Sequence, residues 1–170
     1  NIGELQDFAA IRPEHVEPAI DTLLGQARAA IEQAADPATP ATWETVVDAI
    51  DDAGEPLWRA WSAVGPLNAV VNTPELRAAY NAALPKVTEF STWVGLHEGL
   101  YRQYKRLREG AGFAALSPTR QRIVELALRD FRLSGVELPQ AQRERFAELS
   151  EEQAAVSQKF SENVLDATDG

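Results

Sequence analysis

Apolar residues recur along this chain every three or four positions almost from end to end, the spacing of one face of an α-helix. Pro13 suits a first helical position, where its missing N–H removes nothing, and Val16, Ile20, Leu23, Ala27, Ala30/Ile31 and Ala34 follow at that period until Asp36-Pro37. Glu14 and Glu17 in the first turn favour the helix dipole, whereas Gly25 costs the helix about 1 kcal/mol relative to alanine. Thr42 caps a second helix through Trp43, Val46/Val47 and Ile50; it bends at Gly54-Glu55-Pro56 and resumes with Leu57, Trp58, Trp61 and Val64 up to Gly65-Pro66. Thr73-Pro74-Glu75 supplies cap, proline and first-turn acid for a third. Its stripe is Leu76, Tyr80 and Leu84, then a kink at Pro85, then Val87, Phe90, Val94 and Tyr101, ending in a basic crowd before Gly110-Ala111-Gly112.

Ser117-Pro118 repeats the cap-plus-proline signal, and Ile123, Ala127 and Phe131 lead to a stop at Gly135. Pro139 opens the last helix, whose stripe is Phe146, Leu149, Val156, Phe160 and Val164. Residues 139–166 would span about 42 Å at the α-helical rise. No alternating run is long enough to predict a strand. The expected fold is all-α, an array of about five or six long antiparallel helices with a C-terminal helical hairpin. Its parts are an N-terminal arm over 1–12, a helical array over 13–110, a loop over 111–117 and the hairpin over 118–170, all within one helical domain.

Composition narrows the chemistry. Sixteen Lys+Arg against 26 Asp+Glu give a net charge of −10, which argues against nucleic acid as a partner. Without cysteine there is no thiol nucleophile, disulfide framework or cysteine-ligated metal. No apolar run approaches the roughly 18 residues of a membrane span, and the acidic start lacks the layout of a signal peptide, so a cytoplasmic protein is expected. Arginine outnumbers lysine 13 to 3, a bias that fits a GC-rich bacterial genome. The chain begins Asn1-Ile2-Gly3 and has no methionine, so it reads as a segment of something longer.

Four constellations invite a chemical reading. His97-Glu98-Gly99-Leu100-Tyr101 starts like His-Glu-x-x-His, two zinc ligands one helical turn apart beside a general base. Position 101 is tyrosine, however, and His15 is the only other histidine. His97 reads as a surface histidine. Glu44, Asp48, Asp51, Asp52 and Glu55 share much of one helix face and could face a hard cation; with no Glu-x-x-His partner, a solvated acidic face explains them. Arg102, Lys105, Arg106 and Arg108, interleaved with Tyr101 and Tyr104, have the make-up of a stacking clamp, yet cations at a helix end suit its dipole. Trp43, Trp58, Trp61 and Trp93 fill gaps between helices or form a docking patch. No nucleophile elbow and no phosphate-binding loop is present.

Longer strings are more specific than these. Ile11-Arg12-Pro13-Glu14-His15-Val16-Glu17-Pro18-Ala19, then Ser91-Thr92-Trp93-Val94-Gly95-Leu96-His97-Glu98-Gly99-Leu100-Tyr101, then Ala127-Leu128-Arg129-Asp130-Phe131-Arg132-Leu133-Ser134-Gly135, and finally Asn163-Val164-Leu165-Asp166-Ala167-Thr168 occur in that order. Together they resemble the N-terminal part of bacterial members of the thimet oligopeptidase family of zinc metallopeptidases, from about residue 8 to the end. The resemblance implies a parent enzyme several times longer, mostly helical, with two lobes around a deep channel that admits short peptides and excludes folded proteins. It implies zinc held by His-Glu-x-x-His and a further Glu, all C-terminal to this chain, with zinc activating water and the motif's Glu acting as base. On that basis no catalytic, cofactor-binding or metal-ligating residue is assigned to this segment. It is expected to be inactive alone and to build one wall of the channel. Its partners would be short peptides and the remainder of the same polypeptide, and its exposed apolar surface would be open to self-association. The rival reading is a free-standing all-α protein-interaction module without catalysis.

Overall fold

A computed structural model describes residues 11–168. Most of the expected N-terminal arm, residues 1–10, lies outside the described residues. Six α-helices follow: α1 (Pro13–Ala35), α2 (Ala49–Val70), α3 (Pro74–Gly95), α4 (Glu98–Glu109), α5 (Pro118–Leu133) and α6 (Gln140–Thr168). A π-helical turn over Trp43–Asp48 leads into α2, and a short 3₁₀ turn over Phe113–Ala115 precedes α5. Among the described residues there is no strand, and the fold is all-α.

Helix α1 is the hub, packed against α2, α3 and α4. It is buried at Val16, Ile20, Leu24, Ala27, Ile31 and Ala34. The period is the one read from the sequence, except that Leu24 replaces Leu23 as the fully covered leucine. Around α1, Ile20, Val46, Val47, Leu57, Leu100 and Val124 are almost wholly excluded from water. Helix α5 packs on α4, and α6 runs along α3. The C-terminal pair is joined by a tight turn, and each member takes its main support from an earlier helix.

Several helix ends are set locally. Thr42 and Thr45 form a capping box, each side-chain oxygen accepting the other's backbone N–H at 3.3 and 3.1 Å. Thr73 Oγ1 accepts the Leu76 N–H, and Ser117 Oγ accepts the Arg120 N–H, both at 3.3 Å. Helix α5 ends in a Schellman motif: Gly135 N–H bonds to Arg132 O, and Val136 N–H to Phe131 O. Gly135 adopts φ +90°, and a Cβ there would come within 2.7 Å of Leu138, so only glycine is unstrained.

Two expectations about helix ends are corrected. Gly65-Pro66 does not stop α2, which accommodates both Pro56 and Pro66 and runs on to Val70. A proline deletes one backbone hydrogen bond and crowds the carbonyl four residues before it. Here the carbonyls concerned belong to Asp52 and Ser62, neither of which is buried, while Leu57, Ala63, Val64 and Asn68 hold the inner face. The expected third helix is in fact two. Helix α3 passes through Pro85 unbroken, and the break falls at Leu96-His97. There a Cβ on Gly95 would lie 2.8 Å from Ser134 Oγ, so the α5–α6 turn presses directly on the α3 backbone.

Gly25 offers a direct test of the local reading. It is exposed in the middle of α1, and a Cβ there would meet nothing within 4 Å. Gly25→Ala is expected to raise stability by about 0.5–1 kcal/mol through reduced unfolded-state entropy. Urea denaturation would show a higher midpoint with an unchanged slope; a lower midpoint would mean that α1 is not a regular helix there.

Candidate docking interface

Helix α6 has 29 residues and none of them is buried. Its two faces differ sharply in what they meet. Toward α3 it presents half-buried Ala147, Ser150, Ala154, Gln158, Glu162 and Leu165. The attachment is polar: Arg77 donates to the Asp166 carboxylate at 2.7 and 3.3 Å, and Asn81 donates to Glu162 at 2.6 Å. Near its start, Arg143 pairs with Glu98 of α4 and donates to Gln140.

Apart from half-buried Phe146, the apolar stripe predicted for this helix points the other way. Leu149, Val156, Phe160 and Val164 are 47%, 62%, 68% and 46% exposed. At ~100° per residue they lie roughly opposite the α3-facing side. The apolar period is the one the sequence predicts, and the face stays open because nothing among the described residues covers it. Such a strip, on the order of a few hundred Å², is what marks interaction sites on soluble domains.

The polar attachment has a pH signature. The Arg143 hydrogen bond holds the Glu98 carboxyl below the ordinary carboxylate range, Asn81 does the same for Glu162, and Arg77 for Asp166. A group depressed in the folded state stabilises above its unfolded pKa, and that stabilisation is lost as pH falls through the folded value. Helix α6 is therefore expected to loosen from α3 as pH falls through and below the ordinary carboxylate range, before α1 and α4 lose protection. Hydrogen exchange corrected for intrinsic rates checks this; simultaneous loss in all helices would contradict it.

The other constellations are placed as follows. His97 is not a surface residue: its side chain is 13% exposed, set edge-on against Trp93 at 4.9 Å between ring centroids. Its Nδ1 accepts the Leu100 N–H at 3.1 Å and so caps α4. Glu98 is engaged by Arg143 and Arg102. Tyr101 is buried, its hydroxyl donating to Glu137 and accepting from Arg132. One imidazole nitrogen is thus used as a helix cap and the carboxylate is ion-paired, so these residues do not fit a zinc site. Among the described residues no group of three or more His, Asp or Glu is placed to hold a metal.

In the acidic group, Asp48 accepts the Trp43 indole N–H at 2.6 Å, Glu55 pairs with Arg59, and Asp51 and Asp52 are exposed. In the basic group, both tyrosines are core residues, and burial pushes the Tyr104 hydroxyl up to about 12, with Asp51 adding to the shift. Arg106 donates to Pro37 O, Arg102 pairs with Glu98, and Arg108 lies over Phe113. The rings that a stacking clamp would need are therefore inside the fold. Trp43 is buried, Trp61 stacks on Tyr80 at 4.9 Å, Trp93 is partly buried, and Trp58 stands half-exposed. No helix among the described residues is long and apolar enough to cross a membrane.

Comparison with known proteins gives this helical unit a context. The family profile described as "Neurolysin/Thimet oligopeptidase, N-terminal domain" matches residues 20–143. The chain is 43% identical to oligopeptidase A of Salmonella typhimurium over 166 residues, 98% of this chain and 24% of that protein. It is 42% identical to oligopeptidase A of Escherichia coli over 167 residues, 98% of this chain and 25% of that one. A probable cytosolic oligopeptidase A from Arabidopsis thaliana is 37% identical over 161 residues, covering 95% and 23%. The chain thus spans about a quarter of the length of these curated relatives.

Proposed function

This chain belongs to the neurolysin/thimet oligopeptidase family, as its N-terminal domain, and we propose that it serves as a helical wall of a cytoplasmic, zinc-dependent oligopeptidase that hydrolyses short peptides. Zinc and the groups that use it would lie in the remainder of the polypeptide. The observation that carries the reading is the uncovered α6 stripe of Leu149, Val156, Phe160 and Val164, which in this proposal docks on that remainder. Area supports such an intramolecular partner over a second copy of the chain. A stable interface between separate proteins buries about 800 Å² on each side, more than the strip offers. A covalently attached partner acts at high effective concentration and holds with less.

The test compares this 170-residue chain with the longer parent polypeptide on a quenched short peptide with zinc present. Turnover by the parent and none by the chain alone is the expected result. Metal-dependent turnover by the chain alone, or a parent polypeptide without peptidase activity, would overturn the reading.

A further inference from the structure

Away from α6, an open groove of about 780 Å³ lies between α1, α2 and α3. Its apolar lining includes Ala27 and Ile31 of α1, Ile50 of α2, and Phe90 and Val94 of α3. Volumes of this size are typical of small-ligand sites, which combine an apolar lining with a few placed polar groups. Glu55 and Arg59 also line it and offset each other as an ion pair at 3.1 Å, which leaves Asp51 and Trp58 to give the groove its chemistry. Trp58 is 45% exposed, and Gly54 beside it sets no side chain against the indole, where a Cβ would be in van der Waals contact at 3.6 Å. Asp51 stands on the same lining and has no hydrogen-bond or ion-pair partner among the described residues.

We propose that this groove recognises the basic side chain of a short peptide, with Asp51 as the carboxylate partner and Trp58 as the aromatic wall. Of the neighbouring acids, Asp48 takes the Trp43 indole, Glu55 pairs with Arg59, and Asp52, exposed like Asp51, lies off the lining. Burial, with Asp48 and Asp52 nearby, raises the Asp51 pKa. A carboxylate held in that environment gains from a cation set against it. An aromatic face beside the carboxylate adds cation–π attraction. The same row of rings already holds one guanidinium, because Phe90 lies 6.3 Å from Trp58 and Arg28 sits 5.5 Å from Phe90 and 4.7 Å from Trp93. The choice of a peptide as the carrier rests on the function proposed above; the preference for a cation rests on Asp51 and Trp58 alone.

The experiment titrates the 170-residue chain with acetyl-Leu-Arg-amide and, as its uncharged isostere, acetyl-Leu-citrulline-amide, following the Trp58 indole N–H by NMR. The arginine peptide is expected to shift that signal and to bind about tenfold more tightly than the citrulline peptide, the contribution of one charge-assisted pair. Asp51→Asn should bring the arginine peptide down to the citrulline level by the same signal, and Trp58→Leu, which lacks that indole and is followed by titration calorimetry, should weaken it as well. Equal binding of the two peptides, or an Asp51→Asn variant that keeps the preference, would overturn the proposal. Because the readout is binding, a parent enzyme that fails to cleave peptides would sink the peptidase reading and leave the groove standing. Loss of the arginine preference would do the reverse.

Discussion

Gln103→Leu is expected to destabilise the protein by about 2–4 kcal/mol although it changes side-chain volume little. Gln103 is 1% exposed, and the two hydrogens of its Nε2 are shared among the carbonyls of Ala34, Asp36 and Thr39 at 2.9, 2.7 and 3.1 Å. Its Oε1 accepts from Arg106 at 2.7 Å, and Arg106 also donates to Pro37 O. One side chain of α4 therefore closes the C-terminal end of α1 and the loop after it. Carbonyls at a helix end have no intrahelical partner, and here water cannot easily replace the amide. Leucine would leave the buried Ala34 oxygen and the part-buried Thr39 oxygen without this partner, while Asp36 O keeps the Thr39 N–H; each acceptor so orphaned costs about 1–3 kcal/mol if the loop cannot relax toward solvent. Urea denaturation of Gln103→Leu beside Leu133→Ala gives the comparison. Leu133 is 72% exposed, so its replacement should stay within about 0.5 kcal/mol of wild type. A Gln103→Leu loss below 1 kcal/mol would mean that the loop turns to water at little cost.

The second large effect is on association. The double variant Val156→Gln/Phe160→Gln should cut hydrophobic-dye fluorescence several-fold and abolish the weak association that the uncovered strip gives the isolated chain at high concentration, leaving the 18.6 kDa monomer. Glutamine keeps both helix propensity and net charge, so the change isolates the apolar face. Stability should move by no more than about 0.5 kcal/mol per site, as at exposed positions. Were the stripe part of a core, each replacement would instead cost about 3 kcal/mol or more. A fall of that size would contradict the docking role, as would a wild-type chain that binds no dye and stays monomeric at high concentration.

These two sites show the reach of the sequence. Phe160 and Val156 were legible as one face of a helix, yet the same spacing would describe a core stripe. Gln103 carried no signal at all: it lies among Tyr101, Arg102, Tyr104, Lys105 and Arg106, where the pattern suggests a solvated, basic helix end. What places it inside is the i, i+3, i+4, i+7 relation of Leu100, Gln103, Tyr104 and Leu107, all buried on α4. His97 was missed as a cap because histidine is not among the usual capping residues. The break before it depends on Gly95 meeting Ser134 from a turn nearly forty residues later in the chain.

By itself the sequence determined the all-α class, the helix starts at Pro13, Thr42, Thr73-Pro74 and Ser117-Pro118, the stop at Gly135, and the resemblance to a peptidase family. Those features are local. A cap oxygen meets an N–H three residues on, and a glycine supplies its own φ, so the neighbouring residues suffice to specify them. The tertiary structure alone decided which apolar stripe is covered, that Gln103 ties α4 to the end of α1, that α3 breaks before His97, and that Asp51 and Trp58 share a groove. Burial is a relation between surfaces brought together by the whole chain. A periodic stripe states that a face is apolar, and only the neighbour packed on it, or missing from it, states whether that face is core or interface.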